Sequence, residues 1–158
     1  MQLKLDSNNN HIIKLKDIYT LMLLLNKSIN IIKFKVVIKF VKKQKVYRLN
    51  LKYRKKNKIT NIISFPYINN IINKQSKTKY IGDIIICPEV IKNEARKKNI
   101  FNYIYCIKMV IHAILHLIGF DHKNYFEYKD MNQIEKKIML KLKNILQKKI
   151  GKKNAKNI

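Results

Sequence analysis

The chain has 158 residues, 47% of them apolar, and carries 35 basic against 9 acidic side chains for a formal net charge of +26. That length suits a single domain with a real core, and that apolar share excludes a chain disordered by composition. Its most apolar early run, IYTLMLLL at 18–25, is far short of the ~20 residues of a membrane span; the N-terminus, MQLKLDSNNN, is polar, so no secretory signal is read and the expected location is the cytoplasm.

The charge needs weighing before it points to a partner. Only Arg48, Arg54 and Arg96 are arginine, and Ile and Asn are also heavily used. Lys, Ile and Asn share A+T-rich codons, so the charge is permissive evidence for a polyanionic ligand and no proof of one. Its field still draws nucleic acid, with strong salt dependence. Cys87 and Cys106 lie in separate apolar runs and read as free buried thiols.

In chain order, KLKDIYTLMLLLNKSIN (14–30) predicts a helix after the polar DSNNN, with His11 an isolated surface residue. FKVVIKFV (34–41) alternates Phe34, Val36, Ile38 and Phe40, the period of a strand. VYRLNLKYRKK (46–56) sets Val46, Leu49 and Tyr53 at helical spacing. NIISF (61–65) is a short apolar strand closed by Pro66, and 67–80 reads as a polar loop. YIGDIIIC (80–87) is a second apolar strand, after which Pro88 begins a helix at a position proline favours. A helix rich in histidine and a last helix at roughly 125–148 follow, with a basic flexible tail over 148–158. These elements predict an α+β fold for residues 1–147: one domain, a small mixed sheet covered by helices, with the histidine helix in the core.

VIHAILHLIGFDH (110–122) holds three of the four histidines. His112 and His116 are one helical turn apart on one face. Gly119 supplies a turn at the helix end that can bring His122 back beside them. Three converging neutral imidazoles make a transition-metal site, with zinc the first expectation and a fourth position left open for chemistry. The neighbouring run is apolar nearly all round, as in a buried helix, where unpartnered imidazoles would cost about 1–3 kcal/mol each. Three separately satisfied core histidines would need three unrelated partners. The spacing matches the metalloprotease pattern H-E-x-x-H-x-x-G-x-x-H, but Ala113 stands where that pattern has its glutamate base; peptidase chemistry is therefore disfavoured.

HAILHLIGFDH resembles the H-G-x-L-H-L-x-G-Y-D-H signature of the YbeY family of bacterial endoribonucleases. LNLKYRKKNKITNIISFP (49–66), GDIIICPEVIKNEA (82–95) and MNQIEKKIM (131–139) are similar to further segments of that family. The resemblance spans roughly residues 46–142. It departs at Ala113 for glycine, Ile59 for proline and Phe120 for tyrosine, none of them a ligand position. It implies an α+β fold and a zinc-dependent, single-strand-specific endoribonuclease with His112, His116 and His122 as metal ligands, one zinc per chain, and Arg54 as the catalytic cation. It also implies a role in rRNA maturation, at the 16S rRNA 3′ end, and in ribosome quality control. Its partners would be ribosomal RNA and the small ribosomal subunit, with an assembly GTPase admitted as a further one. The alternative is a ribosome-assembly RNA-binding protein whose zinc is structural. Asp121 is read either as orienting a histidine or as capping the next helix, Asp83 as a structural acceptor at a turn, and Tyr53, Phe65 and Tyr80 as core rings or base-stacking ones.

Overall fold

The structure is a computed structural model and describes residues 5–6, 20–21, 24–25, 34–67, 79–122 and 124–154. The predicted strand at 34–41 forms, as β2 (Phe34–Phe40). Its alternating Phe34, Val36 and Ile38 are buried, as a half-buried strand requires. Two residues near the N-terminus, β1 (Leu5–Asp6), pair with it in parallel. The polar composition there gave no strand signal, because so short an edge strand needs only backbone partners.

β3 (Ile62–Pro66) ends at the expected proline, and β4 (Lys79–Ile86) fills the predicted second apolar run. The sheet order is β1-β2-β4-β3, with β2 parallel and β3 antiparallel to β4. The sheet is thus small and mixed, as predicted, with four strands whose order does not follow the sequence. Most of the predicted 67–80 loop lies outside the described residues, as do His11 and most of the 14–30 helix. Of that helix Thr20, Leu21, Leu24 and Leu25 are helical, and Leu21 and Leu25 are buried.

Helix α1 (Lys43–Arg54) starts three residues before the predicted span. It lies on one face of the sheet, where Val46 packs with Ile63 and Cys87, and Leu49 and Phe65 join them. Buried Asn50 donates its amide to the Lys58 carbonyl at 2.7 Å, which ties down the connection to β3. The opposite face carries α2 (Pro88–Lys97) and α3 (Asn102–Leu117). α4 (Tyr125–Asn154) packs outside α3. Tyr105, Ile107, Val110, Ile111, Ile114 and Leu115 of α3 are all buried among the strands and helices. The histidine helix is thus the central helix of an α+β domain, as its composition predicted. Among the described residues no single helix is long and apolar enough to cross a membrane. Both cysteines are free and buried, and burial pushes the Cys106 thiol up to about 12.

α4 runs to Asn154, past the point where the basic tail was expected to begin. Its buried stripe, Met131, Glu135, Ile138 and Leu142, follows helical spacing and contains one carboxylate.

Candidate metal centre

α3 ends where the sequence marks it. The Gly119 N–H donates to His116 O at 3.1 Å and the Phe120 N–H to Leu115 O at 3.0 Å, the paired bonds of a Schellman turn. That turn needs positive φ at Gly119, and its φ is 100°. The chain reverses there, and half-buried Phe120 packs against the core. His122 is brought back beside the helix it has just left.

One ring nitrogen from each of His112, His116 and His122 lies within 4.8 Å of the other two. The Nε2 atoms of His112 and His116 are 3.2 Å apart. The ring centroids are separated by 4.6 Å for His112–His116, 5.6 Å for His112–His122 and 5.0 Å for His116–His122. His112 and His116 are half-buried and His122 is exposed, so the cluster is open on one side. Burial, reinforced by the nearby His112 and His122, lowers the pKa of His116. Its lone pair is therefore kept available for a cation.

Glu135 supplies what the sequence reading missed. It is 8% exposed, and its Oε1 lies 2.8 Å from His112 Nδ1. A carboxylate accepts, so Nδ1 carries the proton and Nε2 faces the other histidines with a lone pair, the usual support of a metal-bound imidazole. The residues thus fit a transition-metal cation: three ring nitrogens to hold it, and a buried carboxylate behind His112 that fixes its tautomer. The signal was present in the sequence as a lone acid on the apolar stripe of α4. Glu135→Ala is expected to weaken metal affinity about ten- to a hundredfold, measured by competition with a chromogenic chelator; an unchanged affinity would remove its positioning role.

A cavity of about 220 Å³ opens beside the histidines, lined by His112, His122 and Glu135 together with Lys108, Tyr128 and Asn132. Arg54 is not among its lining residues. It sits at the end of α1, where Nη2 donates to the Ser64 carbonyl of the outer strand β3 at 3.1 Å. The neighbouring Phe65 carbonyl and the Leu117 side chain both crowd Gly82, so this stretch of β3 meets the end of α3 next to His116.

Ala113 is 2% exposed within the main core, so its methyl is directed into packing. Asp121 accepts the His122 backbone N–H at 2.8 Å, while the cap of α4 falls to Asn124, whose Oδ1 accepts the Glu127 N–H at 2.9 Å. Asp83 is a strand residue of β4 and not a turn residue. It accepts the Tyr80 hydroxyl and pairs with Lys39 Nζ at 3.5 Å. Tyr53 and Phe65 stack edge to face at 5.1 Å. A ring that does line the histidine cavity, Tyr128, comes from α4 and carries no signal in the sequence motifs.

The chain matches the family described as Endoribonuclease YbeY over residues 4–143. It is 45% identical over 108 residues to the endoribonuclease YbeY of Buchnera aphidicola subsp. Baizongia pistaciae, covering 68% of each chain. To that of Colwellia psychrerythraea it is 38% identical over 109 residues, covering 69% of this chain and 68% of the relative. The fold is similar to the solution structure of a Thermotoga maritima protein, with a TM-score of 0.61 at 22% identity, covering 94% and 93% of the two chains. With the match running through sheet, histidine helix and supporting helix alike, this chain belongs to the YbeY family of endoribonucleases.

Proposed function

We propose that the protein is a zinc-dependent, single-strand-specific endoribonuclease that matures ribosomal RNA, including the 3′ end of the small-subunit RNA, and serves ribosome quality control. The observation that carries this reading is the three-histidine cluster with His112 held by Glu135. Two tetrahedral zinc ligands at ~2.0–2.1 Å stand roughly 3.3 Å apart, close to the 3.2 Å between the His112 and His116 nitrogens. Three protein ligands on an open face suit a catalytic ion better than a structural one, which is normally closed by four. When bound, the ion would supply Lewis acidity for activating water and withdrawing charge from a phosphate oxygen.

The chain's own residues do the rest. His112, His116 and His122 hold the ion, and Glu135 keeps the His112 proton on Nδ1. Arg54 presents a planar fork suited to a phosphate's oxygens, where charge grows during displacement. The partners are ribosomal RNA and the small ribosomal subunit, with an assembly GTPase as a further candidate, and the setting is the cytoplasm, in keeping with two free thiols.

Cleavage of a single-stranded ribosomal RNA 3′ extension tests this reading. Activity should vanish with chelator and return with zinc. Arg54→Ala should keep the fold and the metal yet lower turnover about a hundredfold or more. Undiminished turnover would remove Arg54 from the mechanism. Tight RNA binding with no cleavage at any zinc level would favour the assembly-factor alternative.

A further inference from the structure

Three exposed aromatic side chains stand within four positions at the start of α4: Tyr125 is 71%, Phe126 75% and Tyr128 56% exposed. Scattered surface aromatics need no explanation, but these are close together in sequence, and one of them, Tyr128, lines the histidine cavity. At ~100° per residue, Tyr125, Tyr128 and Asn132 fall on one stripe of α4, with Glu127 and Asp130 on the far side. That stripe leads out of the cavity from Asn132 to Tyr128 and on to Tyr125, whose ring is braced edge to face by Phe126 at 5.9 Å. Across from it, exposed Lys108 lies one turn before His112 on the same face of α3 and also lines the cavity. Met109 and Met131 supply its apolar wall.

From this juxtaposition we infer that Tyr128, Lys108 and Asn132 form a subsite for one unpaired base of a single-stranded polynucleotide and its phosphate, and that Tyr125 continues the stacking platform to the next base. The inference rests on the ribonuclease reading for the class of ligand. The chemistry is specific to a splayed strand. An aromatic face can stack only on a base whose own face is uncovered, which a duplex does not offer. A cavity of about 220 Å³ is below the ~300–1,000 Å³ of pockets that enclose whole small molecules, so it takes one part of a longer ligand. The lysine answers the phosphate and the Asn132 amide can both donate to and accept from a base edge. A protein partner's apolar surface would use the rings but would leave Lys108 and the strongly positive surroundings unanswered.

The test is binding of a short 2′-O-methylated oligoribonucleotide carrying a single 2-aminopurine, compared with a duplex of the same length, to the metal-loaded full chain. Stacking quenches the fluorophore. Quenching is expected with the wild-type chain and with Tyr128→Phe, which keeps the ring. Tyr128→Ala should lose it and weaken single-strand affinity about tenfold, with duplex affinity unchanged and an unaltered melting temperature, since the ring is exposed. Lys108→Ala should flatten the salt dependence by about one counterion. Undiminished single-strand affinity and quenching in Tyr128→Ala would overturn the inference, as would an equal loss on the duplex. Cleavage is followed separately on unmodified RNA: no cleavage beside Tyr128-dependent quenching would remove the nuclease reading and leave the subsite standing.

Discussion

His116→Ala should strip the protein of metal while the fold survives. Wild-type chains should carry about one ion each, and the variant less than about a tenth of that, because two imidazoles hold zinc far more weakly than three. Equal metal content in the two proteins would exclude this ligand set. The same residue sets the acid limit. Burial and two neighbouring imidazoles depress its folded pKa below the ordinary value. Between the folded value and ~6.5 the unfolded chain therefore binds more protons than the folded one. The stability that His116 contributes as a neutral group is complete above ~6.5 and is lost as pH falls through the folded pKa. Protons also compete for the metal's lone pairs, so occupancy falls in the same direction. Metal analysis and thermal unfolding at pH ~7.5 and ~5.5 should show the wild type losing both on acidification. The apo variant should lose less stability than apo wild type over the same interval.

Gly82→Ala should be the most damaging single methyl in the sheet. Gly82 has φ 144°, and a Cβ there would stand 2.1 Å from the Phe65 carbonyl oxygen and 2.9 Å from a Leu117 methyl. The first neighbour is backbone of a paired strand and cannot swing aside. Overpacking costs about 1–3 kcal/mol, and backbone strain adds about 1–3 kcal/mol. A total near 3 kcal/mol is a large share of the ~5–15 kcal/mol that holds a domain together. For a chain of this size it corresponds to about 10 °C in melting temperature. Calorimetry checks it, and a shift below about 2 °C would show that β3 and α3 can move apart at little cost. Because the contact joins β3 to the last residue of α3, the variant should also loosen metal binding.

Much of this architecture was legible because local signals agreed with one another. Phe34, Val36 and Ile38 alternate and are buried in alternation. Pro66 and Pro88 mark where β3 stops and α2 starts. The histidine spacing together with Gly119 described a helix, a turn and a return, and the Schellman bonds at 115–120 carry it out. Non-local features were not legible. Nothing in the β2 or β4 sequence says that they pair in parallel with β3 on the outside, since strand order is decided by connections and packing. The partner of Glu135 is not legible either, because charge usually means solvent and a position on an apolar stripe does not say which neighbour it meets. Nor is the exposure of Tyr125, Phe126 and Tyr128, because a ring beside a helix start looks like core in sequence.

The way the donors are distributed along the chain bears on how the protein reaches its native state. His112 and Glu135 are 23 residues apart, with the other two histidines between them, whereas the parallel pairing joins Phe34 to Lys79 across much more of the polypeptide. Loop-closure entropy rises with the logarithm of the length closed, and chains rich in short-range contacts fold faster than those that wait on distant strands. The two-helix hairpin can therefore gather its imidazoles early, and a cation captured at that moment would favour the correct crossing of the hairpin before the slower sheet closes around it.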